Sequence, residues 1–494
     1  MTDSQEYDVV VLGAGSGGYA AALRSAQLGM KVALIEGDKL GGTCLHRGCI
    51  PTKALLHAAE VADEMRDSEK VGILGTFEGV DMGTLNSYKD GVVNQMHKGL
   101  TGLIASRKID VYEGYGRLVA QDTIEVNGEQ VKGKNIVLAT GSYSKTIGQT
   151  ITDRVLTSEK ALKMDKVPGS VIVLGGGVIG CEFASVWKSL GAEVTILEGL
   201  KNLVPNEDLD VSKMLERQFR RRKINFKTNT MFDRVEEDDE GVHVFTQDGK
   251  QYDAEYLLIA IGRGAATANL GYEEPAFQAL AARFTEPADH TAEILGVTVI
   301  SRCCPNLGYE EQGIKVDREF VITNERLHTG VGNIYAVGDI VPGVQLAHRG
   351  YLQGEFVAEE IAGLNPKAIN EDLIPKVTFS NPEIGSVGLS QQKAEEKYGK
   401  ENVETAMFNL AGNGKSQMLS AQGFVKIVRE KDGPIVGFHA IGTRMGEQVG
   451  EGMLMVAWEA MPEDFAALVH AHPTQNEAVG EAILALAGKP LHNN

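Results

Sequence analysis

A chain of 494 residues exceeds what one ordinary hydrophobic core serves and predicts three or four domains. Its hydrophobic share of 43% and charged share of 23% are those of an ordinary globular protein, and a formal net charge of −19 argues against nucleic acid or an anionic membrane as the main partner. Five cysteines are too few for the disulfide framework of a secreted protein, no apolar run approaches the roughly 18 residues of a membrane span, and the opening MTDSQEYDVVVLGAG lacks the basic segment of an export signal, so a cytoplasmic protein is expected.

Tyr7 to Leu12 is apolar almost throughout, the pattern of a parallel strand buried on both faces. It runs into Gly13-Ala14-Gly15-Ser16-Gly17-Gly18, then a helical stretch from Tyr19 to Leu28 and a second strand, Lys31 to Ile35, that closes on Glu36. In such a unit Gly13 makes the turn, Gly15 lets backbone approach a pyrophosphate, and Gly18 lets helix and strand pack closely. The pyrophosphate sits on the helix N-terminus and Glu36 accepts from a ribose hydroxyl. Next comes Gly41-Gly42-Thr43-Cys44-Leu45-His46-Arg47-Gly48-Cys49-Ile50-Pro51-Thr52-Lys53. Zinc would need two further ligands at matching spacing, and Cys181, Cys303 and Cys304 supply no such pattern. A C-x4-C directly after a dinucleotide unit reads instead as a dithiol that opens and closes, with a following helix able to lower a thiolate pKa. The dinucleotide unit then recurs: strand Ser170 to Leu174, loop Gly175-Gly176-Gly177-Val178-Ile179-Gly180, helix Cys181 to Leu190, strand Glu193 to Leu197 and Glu198. Two units imply two dinucleotides, which suits electron transfer between a flavin and a nicotinamide. Glu198 would accept from a free 2′-hydroxyl and repel a 2′-phosphate, which favours NAD, although Lys201 lies close by.

With its GGTC-L-x-x-GC-I-P-T-K segment the chain resembles the class I flavoprotein disulfide reductases, and the resemblance runs from Tyr7 to Glu477. Ile136 to Gly141 and Leu257 to Arg263, which includes Gly262, look like the family segments that return the chain between nucleotide domains. Ile334 to Asp339 is similar to the second FAD motif, whose aspartate binds the ribityl chain, and Leu346-Ala347-His348 to the segment under the flavin ring. The resemblance makes Cys44 the thiol that exchanges with substrate and Cys49 the thiol against the flavin. It makes His472 the base and Glu477 its orienting acid, and it places Lys53, paired with Glu182, near the flavin. Within the family the HAHPT and C-I-P-T-K segments are most like those of the lipoamide dehydrogenases. That implies FAD and NAD as cofactors, no metal, and a homodimer in which His472 serves the other subunit's disulfide. It also implies a lipoyl-bearing acyltransferase or carrier subunit of a 2-oxo-acid dehydrogenase complex as partner. Another reductase of the family, such as a mycothione reductase, is the alternative. So is a flavin-bearing structural or redox-sensing subunit with little turnover, although intact Cys44, Cys49, His472 and Glu477 speak against it.

The expected fold is α/β: two Rossmann-like dinucleotide-binding domains plus a C-terminal α+β dimerisation domain. An FAD domain is expected over 1–148, an NAD domain over 149–268, a central domain completing the FAD site over 269–371, and an interface domain over 372–494. One segment departs from the family. Asn269-Leu270-Gly271-Tyr272-Glu273-Glu274 recurs as Asn306-Leu307-Gly308-Tyr309-Glu310-Glu311, and 275–311 reads as a 37-residue insert that carries Cys303-Cys304. The insert is expected to be dispensable, with a second redox relay as the other reading of its cysteines. Glu319 is a smaller departure, at a turn where the family commonly has glycine.

Overall fold

The strand Glu6–Leu12 is inner in a seven-stranded sheet because nearly every side chain on both its faces is apolar and buried. It pairs in parallel with Val32–Glu36 on one side and Glu129–Leu138 on the other. The late strand Ile334–Ala336 joins the same sheet beside Glu129–Leu138, again in parallel. The structure, a computed structural model, describes residues 6–267 and 307–492, together with the paired strands Glu293–Ile294 and Val297–Thr298. A second, all-parallel sheet of five strands is built around Ser170–Leu174, flanked by Glu193–Leu197 and Tyr256–Ile259. The third large sheet is antiparallel and C-terminal: Lys376–Thr378, Glu383–Gly388, Ile435–Gly442, Phe424–Glu430 and Val403–Asn409 in spatial order, backed by the helices Met445–Ala457 and Glu477–Leu486. The α/β reading with two Rossmann-like sheets and a distinct C-terminal α+β unit matches this architecture.

Both nucleotide-type helices start three residues earlier than the apolar pattern predicts, at Ser16 rather than Tyr19 and at Val178 rather than Cys181. The last residues of each glycine loop, Ser16-Gly17-Gly18 and Val178-Ile179-Gly180, form the first helical turn, which places its free N–H groups within the motif itself. A Cβ on Gly18 would lie 1.8 Å from the Gly13 carbonyl oxygen, and one on Gly180 would lie 1.9 Å from that of Gly175. Only glycine permits that approach of helix to strand.

Two polar knots hold the sheets in relation to one another. The Arg222 guanidinium, which follows the helix Leu209–Arg221, donates to Asp63 at 3.0 Å, to the Ser189 hydroxyl at 2.7 Å and to the Asn381 carbonyl at 2.9 Å. The buried Lys426 ammonium of the antiparallel sheet donates to Asp208 at 2.9 Å and to Asp210 at 2.7 Å, at the start of that same helix.

Of the repeated hexapeptide, the second copy belongs to the first sheet's core. Leu307 and Tyr309 are buried there, the Leu118 N–H donates to the Leu307 carbonyl at 2.9 Å, and the Tyr309 hydroxyl lies 3.0 Å from that of Thr140. The 275–311 boundary therefore cuts into packed residues at 307–311. The remainder of that insert, with Cys303 and Cys304, lies outside the described residues apart from the two short strands. Arg318 and Glu319 are the central pair of the hairpin joining Val316–Asp317 to Phe320–Val321, with φ of 46° and 75°. Both occupy the left-handed region that such a turn demands and that glycine fills without strain. The Glu319 carboxylate is held by the Tyr143 hydroxyl at 2.8 Å and the Lys145 ammonium at 3.0 Å.

Candidate active site

Cys44 lies in the short helix Gly42–Arg47, and Cys49 is the first residue of the long helix Cys49–Asp67. The break between them at Gly48 turns both side chains to one place, where they stand as free thiols. The two thiols share a hydrogen bond, and that bond is the largest influence on each. It pushes the Cys44 thiol up, with burial adding to the effect. It pulls the Cys49 thiol down to about 7, assisted by the Lys53 ammonium against the opposing cost of burial. The pair is thus split into a proton-holding thiol and a thiol poised to ionise. Lys53, one turn along the same helix, donates to both Glu182 oxygens at 2.9 Å and lies 4.6 Å from the centre of the Phe379 ring. The Phe379 N–H donates to Glu182 at 3.0 Å, so one carboxylate joins the first helix system, the second sheet's helix and the C-terminal region.

The dinucleotide cradles have matching geometry. Glu36 accepts from the Ala14 N–H at 2.7 Å and the Asp38 N–H at 2.8 Å. Glu198 accepts from the Gly176 N–H at 2.6 Å and the Leu200 N–H at 2.7 Å. Each carboxylate keeps lone pairs for ribose hydroxyls. Burial raises the Glu36 carboxyl above its usual range, although the Ala14 and Asp38 N–H groups oppose it. A Cβ on Gly15 or Gly177 would meet nothing within 4 Å, which leaves open space where a pyrophosphate would lie against backbone. Gly141, with φ of 77°, and Gly262, with φ of 118°, are equally open. The residues present therefore fit two dinucleotides. Asp339 accepts from the Ser142 hydroxyl, and Leu346 precedes the helix that Ala347 and His348 begin, so its N-terminal dipole faces the same region. The His348 ring reaches the Pro375 carbonyl at 2.7 Å.

His472 projects from the loop before the helix Glu477–Leu486. Its Nδ1 is 2.8 Å from Glu477, whose other oxygen accepts from the Thr474 N–H at 2.9 Å. Burial acts to raise the Glu477 carboxyl, but the Thr474 N–H and the His472 ring outweigh it and hold it below the usual range. The imidazole is 79% exposed, and within one chain neither Cys44 nor Cys49 shares a hydrogen bond with it. Among the described residues no cluster of His, Cys, Asp and Glu has the arrangement of a metal site, and no helix is long and apolar enough to cross a membrane.

Several neighbours carry no signal strong enough to single them out in the sequence. Arg263 is half-buried, with its Nε 2.7 Å from the Ser142 hydroxyl and its guanidinium close to Asp339. Its place directly after Gly262 was the available clue. The rings of Tyr19 and Tyr351 pack 5.5 Å apart, tilted by 46°, beside the dithiol, from helices that cross where Gly354 lies against the Gly17 carbonyl. Glu451 reaches the histidine loop from the helix Met445–Ala457, 19 residues before His470.

The sequence profile of the pyridine nucleotide-disulphide oxidoreductases matches residues 7–282, and that of the family's dimerisation domain matches 374–483. The chain is 36% identical to a dihydrolipoyl dehydrogenase of Bacillus subtilis, over 99% of each protein. It is 34% identical to the mitochondrial dihydrolipoyl dehydrogenase of Pisum sativum, over 99% of this chain and 93% of that one. Among solved structures, LpdA from Mycobacterium tuberculosis superposes with a TM-score of 0.83 at 23% identity, covering 97% of this chain and 99% of the other, a likeness of fold. Two glycine cradles, a split dithiol and a C-terminal dimerisation unit are thus the parts of one established machine, and the chain belongs to the pyridine nucleotide-disulphide oxidoreductases, FAD- and NAD-linked enzymes.

Proposed function

We propose that the protein is a dihydrolipoamide dehydrogenase, oxidising the dithiol of a lipoyl group through Cys44 and Cys49. The observation that carries the reading is the placement of the dithiol, with Cys49 opening a helix one turn before the Lys53–Glu182 pair and its thiol drawn down beside them. We assign FAD to the cradle of Gly13, Gly15, Gly18, Glu36, Gly141 and Asp339, with Leu346, Ala347 and His348 beneath its ring. NAD goes to the cradle of Gly175, Gly177, Gly180, Glu198 and Gly262. FAD, when bound, supplies the two-electron link between the dithiol and the nicotinamide.

The chain's own groups account for the thiol half. In the oxidised protein Cys44 and Cys49 form a disulfide. His472, oriented by Glu477, takes a proton from one substrate thiol, and the thiolate attacks the Cys44 sulfur. The Cys44–Cys49 bond breaks and Cys49 leaves as a thiolate, held by Lys53. The second substrate thiol then displaces Cys44, which leaves with a proton, so the substrate becomes a cyclic disulfide and its two electrons reside on the protein dithiol. Lys53 and Glu182 fix the positive charge beside Cys49. Glu198 meets a 2′-phosphate with a carboxylate, hence NAD over NADP.

The exposed His472 supports a homodimer in which the base faces the partner's dithiol. The FAD, NAD, central and interface domains occupy about 1–148, 149–268, 269–371 and 372–494. Lipoyl-bearing carrier subunits of a 2-oxo-acid dehydrogenase complex are the partners, and a reducing cytoplasm suits an opening dithiol. The test is turnover with dihydrolipoamide and NAD, beside glutathione and mycothiol disulfides with reduced nucleotide. Preference for dihydrolipoamide is expected. A faster rate with either disulfide would replace the reading by another reductase, and no turnover with any would leave a redox-sensing subunit.

A further inference from the structure

Behind the His472–Glu477 couple lies a second histidine–carboxylate couple that the thiol chemistry above does not use. His470 and Glu451 are 2.9 Å apart, between ring Nε2 and carboxylate Oε1, and both are mostly buried. The other oxygen of Glu451 accepts from the Asn476 amide at 2.5 Å. His470 and Asn476 are the two residues that bracket the loop 471–475, on which His472 stands, and Asn476 immediately precedes Glu477. One carboxylate on a separate helix therefore grips both ends of the loop. The loop is pinned further by the Asn413 amide, which donates to the Thr474 carbonyl at 2.9 Å, and by the Gln475 side chain, which donates to the Thr443 carbonyl at 2.9 Å. The far face of the His470 ring lies against the helix Glu477–Leu486 at Gly480, where a Cβ would come within 2.6 Å of Nδ1.

We propose that Glu451 and His470 form a positioning couple for the thiol-oxidising base, with Glu451 clamping the loop and His470 setting the charge that Glu477 and His472 feel from behind. The inference rests on His472 acting as the base. The charged groups facing His470 are Glu451 from the helix Met445–Ala457 and Glu477 from the helix it begins; Asn476 and Gly480 are neutral. The hydrogen bond to Glu451 raises the affinity of His470 for a proton, the charge of Glu477 adds to it, and burial opposes both. When His470 carries a proton, its charge beside Glu477 disfavours a second positive charge on the His472–Glu477 couple, so the base stays available to lower pH. Without the Glu451 charge His470 holds that proton less tightly, the opposition weakens, and the base is blocked by protonation at higher pH than before.

The experiment uses the flavin-loaded dimer and the pH dependence of kcat/KM for dihydrolipoamide. Glu451→Gln and His470→Gln are each expected to move the acid limb up by about half a pH unit and to lower kcat/KM about tenfold near neutrality, with Glu451→Asp recovering part of both. NADH-to-dye reduction on the same samples reports the nucleotide half. An acid limb that stays in place, or a loss shared equally by dye reduction, would mean that the couple only supports the fold, and the proposal would fall. Gly480→Ala covers the event that Glu451→Gln does not fold. It displaces His470 while leaving the carboxylate intact, and it should move the limb in the same direction. His472→Gln is measured alongside: if it retains thiol oxidation, the base assignment itself is wrong, whatever Glu451 does.

Discussion

The two cysteines share a sequence neighbourhood and differ by which one holds the hydrogen between them. Cys49 has the helix N-terminus and Lys53 on its side, so it is the thiol that ionises. In the two-electron-reduced, flavin-loaded protein Cys49→Ser should remove the long-wavelength absorbance of a thiolate against the flavin, whereas Cys44→Ser should show it without reduction. In the parent protein the band should fade as pH falls through about 7, where Cys49 takes up its proton. A band that persists in Cys49→Ser would exchange the two roles. Glu319 makes a different point. Its left-handed backbone costs about 1 kcal/mol for a residue with a Cβ, while its carboxylate gains Tyr143 and Lys145. Glu319→Ala loses both contacts and keeps the strain; Glu319→Gly loses the contacts and relieves it. The glycine variant should therefore be the more stable of the two by about 1 kcal/mol in denaturant unfolding, despite glycine's looser unfolded chain.

At the scale of elements, the strand–loop–helix units are the most legible part of the chain, because they depend on backbone and glycine rather than on distant partners. Gly18→Ala drives a methyl group into the Gly13 carbonyl and should yield protein without flavin. Gly180→Ala does the same at Gly175 and should keep the flavin while weakening NAD binding at least tenfold, measured by titration. Flavin retained in Gly18→Ala would show that the loop can open without losing its cradle. The helix starts were harder to read than the strands, since each first turn is the end of a glycine loop and too short to show an apolar period. The polar partners were harder still. Glu451 and His470 are 19 residues apart, and Arg222 and Asp63 are 159 apart, so nothing local announces either pair. His472 and Glu477 were legible because they stand five positions apart, at the end of one loop and the start of the helix that follows it.

For the whole molecule, the exposed segment around His472 is a further argument for two copies. Leu468 is 57% exposed and Val469 is 95% exposed, next to an imidazole that touches neither cysteine of its own chain by hydrogen bond. Mixed dimers of His472→Gln with Cys44→Ser subunits should recover about one working site per heterodimer, because the intact base and the intact dithiol then meet across the interface. Absence of recovery after proven exchange would return the base to its own subunit. The duplicated hexapeptide gives the other test at this scale. Because the two copies are identical, removing 275–311 or 269–305 yields the same chain, and that chain retains the Leu and Tyr that pack at 307 and 309. Loop closure costs only about 0.6 kcal/mol per doubling of length, so the shortened protein should keep its flavin content, melting temperature and turnover. Loss of turnover with flavin and fold intact would make Cys303-Cys304 part of the electron path.

The carboxylate of Glu182 has a consequence of a mechanical kind. It accepts from Lys53 on one side and from the Phe379 N–H on the other, and Arg222 ties the same three regions together a few turns away. Rotation of one region against another would break at least one of these contacts or be confined to the line that joins them. With both braces in place, turnover is expected to proceed without a wide opening and closing of lobes.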